Sequence, residues 1–211
     1  MVKENLQSLV RQLPSGVQLV AVSKFHPVER LMEAYDAGQR IFAESRPQEL
    51  AAKVPLMPSD VQWHFIGHLQ TNKLKLVLPH VALVQSVDSV HLLEAINAWG
   101  AANNKVTDVL LELHLGAEET KQGFTEEEII NLGNSEYDHT RIRGLMGMAT
   151  NTDDETLIDA DFSRIEALYN SIKLPHFDIL SIGMSQDWPI AVRHGATMVR
   201  IGTDLFGPRE Y

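Results

Sequence analysis

The sequence predicts an α/β fold, a single (β/α)8 barrel of the TIM type, and three observations lead to that expectation. Eight short apolar runs recur along the chain, segments with apolar residues at helical spacing lie between them, and several runs end in a polar or small residue. Regular alternation of this kind implies parallel strands joined by right-handed crossovers, and eight such units close on themselves rather than leave two open edges. An open doubly wound sheet is the other arrangement that the alternation allows.

Leu6, Leu9, Val10 and Leu13 have helical spacing, so a helix over about 3–13 is expected to pack on the outside of the barrel. Pro14-Ser15-Gly16 ends it, and Leu19-Val20-Ala21-Val22-Ser23-Lys24 follows as a buried strand with a polar tip. Val28, Leu31, Met32 and Tyr35 mark the next helix face, which stops at Gly38. Further strands are expected at 40–44, 63–67, 83–87, 109–114, 142–148, 179–184 and 198–202, with a helical segment at 188–194 between the last two. No linker, low-complexity tract or change of composition divides the chain, so one domain spanning 1–211 is expected.

Composition narrows the functional classes. Acidic residues outnumber basic ones by 28 to 18 and no basic cluster offsets them, which argues against a nucleic-acid partner. There is no cysteine, which removes disulfides, thiolate metal sites and a thiol nucleophile. The amino-terminal segment lacks the apolar core of a secretory signal and no run is long enough to span a bilayer, so a soluble cytoplasmic protein without a membrane partner is expected.

Barrel active sites are built where strands end, and Lys24 stands at such an end after an apolar run. A lysine held partly neutral there can condense with an aldehyde to form a Schiff base, whereas a strand-end lysine that snorkels to water stays protonated. The loops after strands seven and eight are the usual phosphate cradle of this barrel. Here they read Gly183-Met184-Ser185-Gln186-Asp187 and Gly202-Thr203, small residues and hydroxyls that supply backbone N–H donors, although ordinary helix caps have the same composition. Arg200 shares the side of its strand with Gly202. It either faces the barrel mouth, where it would keep a heteroaromatic nitrogen unprotonated, or makes an ordinary ion pair.

His64 and His68 have the spacing that joins two imidazoles on a helix, but Trp63, Phe65 and Ile66 mark a strand, so no metal site is expected. His114 follows strand five and reads as a hydrogen-bonded core histidine or a group at the mouth. Gly144 and Gly147 read as close-packing residues rather than a dinucleotide fingerprint.

Several ordered motifs together resemble the YggS/PROSC family of pyridoxal phosphate homeostasis proteins. They are Ala21-Val22-Ser23-Lys24 with Pro27, Trp63-His64-Phe65-Ile66-Gly67-His68-Leu69-Gln70-Thr71-Asn72-Lys73, Glu118-Glu119-Thr120-Lys121-Gln122-Gly123-Phe124, Arg143-Gly144-Leu145-Met146-Gly147-Met148, Gly183-Met184-Ser185 with Asp187, and Val199-Arg200-Ile201-Gly202-Thr203. The resemblance implies a barrel like the N-terminal domain of alanine racemase, of PLP fold type III. It implies pyridoxal 5'-phosphate (PLP) as a Schiff base on Lys24, phosphate at Met184, Ser185, Gly202 and Thr203, and Arg200 beside the pyridine nitrogen. One segment departs: Ala43-Glu44-Ser45 stands where the family usually reads Gly-Glu-Asn, which removes one polar contact near the cofactor.

The same resemblance implies a monomer that holds vitamin B6 and supplies PLP-requiring apoenzymes, with no established reaction and therefore no catalytic residue. The alternative is a PLP-dependent racemase or decarboxylase, for which Tyr35 or His114 would be the acid–base groups. Alanine racemases complete their site with a second, β-rich domain, and nine residues after Gly202 cannot build one, so a two-base racemase is not expected. A Schiff-base aldolase usually places its lysine on strand six, and 142–148 contains none.

Overall fold

The computed structural model describes residues 1–116, 122–132 and 137–208. Among them, eight parallel strands close into a barrel in chain order: β1 (Gln18–Val22), β2 (Ile41–Glu44), β3 (Gln62–Phe65), β4 (Val81–Val87), β5 (Thr107–Leu113), β6 (Thr140–Gly147), β7 (Ile179–Ser181) and β8 (Met198–Ile201). Pairing of Val20 with Arg200 and Ala21 with Ile201 joins β8 to β1, which closes the sheet and excludes the open doubly wound arrangement. The principal outer helices are α1 (Val2–Gln12), α2 (Val28–Asp36), α3 (Pro47–Lys53), α4 (Leu74–Val77), α5 (Val90–Asn103), α6 (Glu126–Leu132), α7 (Glu155–Ser171), α8 (Trp188–Arg193) and α9 (Thr203–Phe206).

Side chains alternate across the strands, as a two-residue period requires. One set, including Leu19, Ala21, Phe42, Phe65 and Val84, packs outward against helix residues such as Leu6, Leu31, Ile96 and Phe162. The other set, Val20, Ala43, Leu83, Leu110, Met146 and Met198, fills the barrel interior. Each large apolar side chain so buried contributes roughly 1.5–3 kcal/mol. Helix ends follow their local chemistry: Ser89 caps α5 by accepting from the Leu92 N–H, Asp154 caps α7 by accepting from the Thr156 N–H, and Pro27 precedes α2.

Several strands stop earlier than their apolar runs suggest, β3 at Phe65 among them, and in the first and seventh a positive-φ residue follows the strand end. The first ends at Val22 rather than at Lys24, because Phe25 adopts φ +69° and turns the chain. Lys24 therefore stands in the turn just beyond the strand. The seventh ends at Ser181, and Gly183, at φ +93°, turns the chain toward α8. Close packing accounts for the glycines of β6, since a Cβ on Gly144 would sit 1.7 Å from the Ile179 carbonyl oxygen and one on Gly147 would sit 2.5 Å from Leu115 Cδ1. Residues 118–121 of the Glu118 to Phe124 motif lie outside the described residues.

Candidate functional site

A cavity of about 370 Å³ opens at the C-terminal mouth of the barrel, within the usual range for a small-molecule site. Lys24, Met184, Ser185, Arg200, Gly202 and Thr203 all line it. Ile66, Met146 and Met148 supply an apolar wall.

Lys24 is half-buried, and an ionic cluster holds both of its chain neighbours. Ser23 Oγ donates to Glu44 Oε1 at 2.6 Å, the Phe25 N–H donates to Glu49 Oε1 at 2.7 Å, and Lys53 Nζ donates to the Ser23 carbonyl at 2.8 Å. Lys53 also pairs with Glu44 at 2.8 Å and Glu49 at 2.7 Å. Arg46 lies over the Phe25 ring at 4.3 Å, so the positive-φ residue is fixed at both backbone and side chain. Burial pushes the Glu44 carboxyl above its ordinary value, opposed by Lys53 and Ser23.

Arg200 forms the cavity floor and is 4% exposed. Its NH1 donates to the carbonyl and the hydroxyl of Ser181 at 2.8 and 2.7 Å, and its NH2 donates to the Gly147 carbonyl at 2.9 Å. All three acceptors are neutral, and no carboxylate among the described residues pairs with it within ion-pair distance. Burial lowers its pKa to about 10, opposed by the more distant Asp187 and Glu112, so it remains charged at neutral pH. Three of the five guanidinium N–H groups are spent on these bonds.

The two loops expected to hold an anion meet across the mouth. Asp187 Oδ1 accepts from the Met184 N–H, which ties 184–187 into a turn, and Ser185 Oγ accepts from the Asp204 N–H at 3.4 Å. Burial raises the Asp187 pKa, opposed by its hydrogen bond to Met184 and by Arg200. Gly202 has φ −117°, and a Cβ there would lie 3.4 Å from the Val22 carbonyl oxygen, an ordinary contact. Neither backbone strain nor packing requires glycine at 202; what it leaves open is the cavity wall.

Other candidates fall elsewhere. Tyr35 donates to Asp60 at 2.6 Å, just before β3 begins and so at the opposite end of the barrel. His114 and Ser45 do not line the cavity. His64 is buried inside the barrel while His68 is exposed and pairs with Asp88, so the two do not form a pair. Glu44, Lys53 and Glu49 escaped sequence reasoning, although a glutamate ending an apolar strand was a visible signal.

A family model described as the N-terminal domain of alanine racemase matches residues 1–210. A pyridoxal phosphate homeostasis protein from Vibrio alginolyticus is 34% identical, the match covering 100% of this chain and 98% of that protein. The chain belongs to the pyridoxal phosphate homeostasis protein family. Among solved structures, PipY of Synechococcus elongatus without PLP is 36% identical, with a TM-score of 0.93, covering 98% of this chain and 100% of that one. The same protein with PLP bound superposes with a TM-score of 0.87. Alanine racemase from E. faecalis, at 19% identity and a TM-score of 0.77, shares the fold over 98% of this chain and 57% of its own.

Proposed function

We propose that this family member binds PLP in the mouth cavity and serves PLP homeostasis as a carrier. The observation that supports it most is that one cavity brings together an amine, a buried guanidinium with N–H groups to spare, and two donor loops. Those groups fit a phosphorylated aromatic aldehyde. The Lys24 amine would hold the aldehyde as a Schiff base, with release of water. Ser185, Thr203 and the backbone of Met184 and Gly202 would hold the phosphate, and Ile66, Met146 and Met148 would flank the ring. Arg200, charged at neutral pH, would offer an N–H to the pyridine nitrogen and keep it unprotonated, which would make the ring a weaker electron sink.

Holding rather than turnover is the better reading of this geometry. Tyr35 and His114 lie outside the cavity, and Asp204 is the one carboxylate among the described lining residues. The carrier is a monomer of one barrel domain, residues 1–211, that works in the cytoplasm and delivers PLP to apoenzymes. No helix among the described residues is long and apolar enough to cross a membrane.

The absorption spectrum of protein with added PLP tests the reading. An imine band that is absent from Lys24→Ala, in a variant that keeps the wild-type circular dichroism, is expected; an unchanged band in that variant would refute the Lys24 assignment.

A further inference from the structure

Besides Glu112 of β5, which shares the inward side of its strand with Leu110, four polar side chains from four strands are buried inside the barrel: His64 of β3, Gln85 of β4, Ser181 of β7 and Arg200 of β8. They form one continuous chain. Arg200 NH1 lies 2.7 Å from Ser181 Oγ, which lies 2.7 Å from Gln85 Oε1, and Gln85 Nε2 lies 2.9 Å from His64 Nδ1. Met198 Sδ, 3.3 Å away, takes a second contact from Gln85 Nε2.

The direction of every bond follows from its end at Arg200. A guanidinium only donates, so Ser181 Oγ accepts there, and its single hydrogen goes to Gln85 Oε1. That fixes the amide orientation and leaves Gln85 Nε2, also only a donor, facing His64 Nδ1. His64 Nδ1 must therefore be the unprotonated nitrogen. Burial agrees, because desolvation lowers the His64 pKa to about 3 and keeps the ring neutral. A histidine protonated on Nδ1 would set two donors against each other and reverse the amide, leaving Ser181 without its acceptor.

We propose that Ser181, Gln85 and His64 are positioning residues, a one-way hydrogen-bond relay that fixes how the Arg200 guanidinium presents its remaining N–H groups to the cofactor ring. The proposal rests on the PLP reading of the cavity. None of the three lines that cavity, so they act through Arg200. Fixing the guanidinium from beneath matters because its bonds within the barrel are all to neutral oxygens, with no carboxylate fork to set its plane.

The test compares wild type with Ser181→Ala, Gln85→Met and the hydroxyl-restoring Ser181→Thr, measuring the absorption maximum of the PLP adduct and the rate of PLP release. Ser181→Ala and Gln85→Met are expected to shift the maximum and to release PLP on the order of tenfold faster, as loss of a bond to a charged group implies. Ser181→Thr is expected to restore both. In cofactor-free wild type, nitrogen NMR is expected to show His64 protonated on Nε2 alone. Variants that lose thermal stability but keep the wild-type spectrum and release rate overturn the relay, as does a His64 ring protonated on Nδ1. If Gln85→Met does not fold, Ser181→Ala and the NMR measurement decide. Wild-type protein that takes up no PLP overturns the cofactor reading and this role with it, an outcome distinct from loaded wild type with unaffected variants.

Discussion

At the scale of single residues, the position of Lys24 depends on a lysine that never touches the cavity. Lys53, with its side chain 8% exposed, is the cation that compensates fully buried Glu44, and its amine also holds the Ser23 carbonyl. Removing one partner of a buried pair strands the other, at a cost of about 3–5 kcal/mol. Lys53→Met is therefore expected to destabilise the protein by roughly that amount in urea unfolding at neutral pH. The deficit should shrink on acidification, because desolvation already raises the Glu44 pKa and a protonated Glu44 needs no cation. A deficit that is constant with pH would show that Glu44 does not carry the cost. That Lys24, Arg200 and the loop residues meet at the barrel mouth was legible in the sequence, because strand ends place them there. Lys53 was not, since its partners Ser23, Glu44 and Glu49 are united only when α3 folds back over β1 and β2.

At the scale of elements, the strands could be read from apolar runs, while their ends were set by dihedral angles that the runs do not show. Phe25 and Gly183 both turn the chain at positive φ, immediately beside the Lys24 and Met184 portions of the site. Gly183 has little room as well, since a Cβ there would lie 2.7 Å from Ala191 Cβ and 2.9 Å from Trp188 Cα. Gly183→Ala should cost about 1–3 kcal/mol and distort the 184–187 turn. Its effect on binding should then be confined to the phosphate: the preference for PLP over pyridoxal is expected to fall while pyridoxal itself binds as before. An equal loss for both compounds would place the phosphate elsewhere. The relay of His64, Gln85 and Ser181 was partly legible, as polar residues in apolar strands, but their pairing spans up to 96 residues and depends on barrel closure.

At the scale of the whole molecule, two histidines pull stability in opposite directions with pH. His64 has a folded pKa of about 3, below its ordinary 6.5, so the unfolded chain takes the proton first. Its contribution is present above about pH 6.5 and is lost as pH falls toward 3, by up to about 1.4 kcal/mol per unit. For His194 partial burial lowers the pKa, but hydrogen bonds to Asp159 and Glu166 outweigh it and the net shift is upward. That contribution is present below the ordinary value and is lost as pH rises through the folded one. Melting temperature measured from pH 7 to pH 4.5 should therefore fall less steeply in His64→Gln than in wild type. Parallel curves would mean that His64 does not titrate against folding.

The closed barrel brings Lys24, from the turn after β1, to the same cavity as Arg200 of β8, and the account stands on that convergence. Borohydride reduction of the PLP-loaded protein, followed by peptide mass spectrometry, tests it most directly. The account predicts one reduced pyridoxyl adduct, on the peptide containing Lys24. An adduct on Lys53 or any other lysine, or none at all, would contradict it.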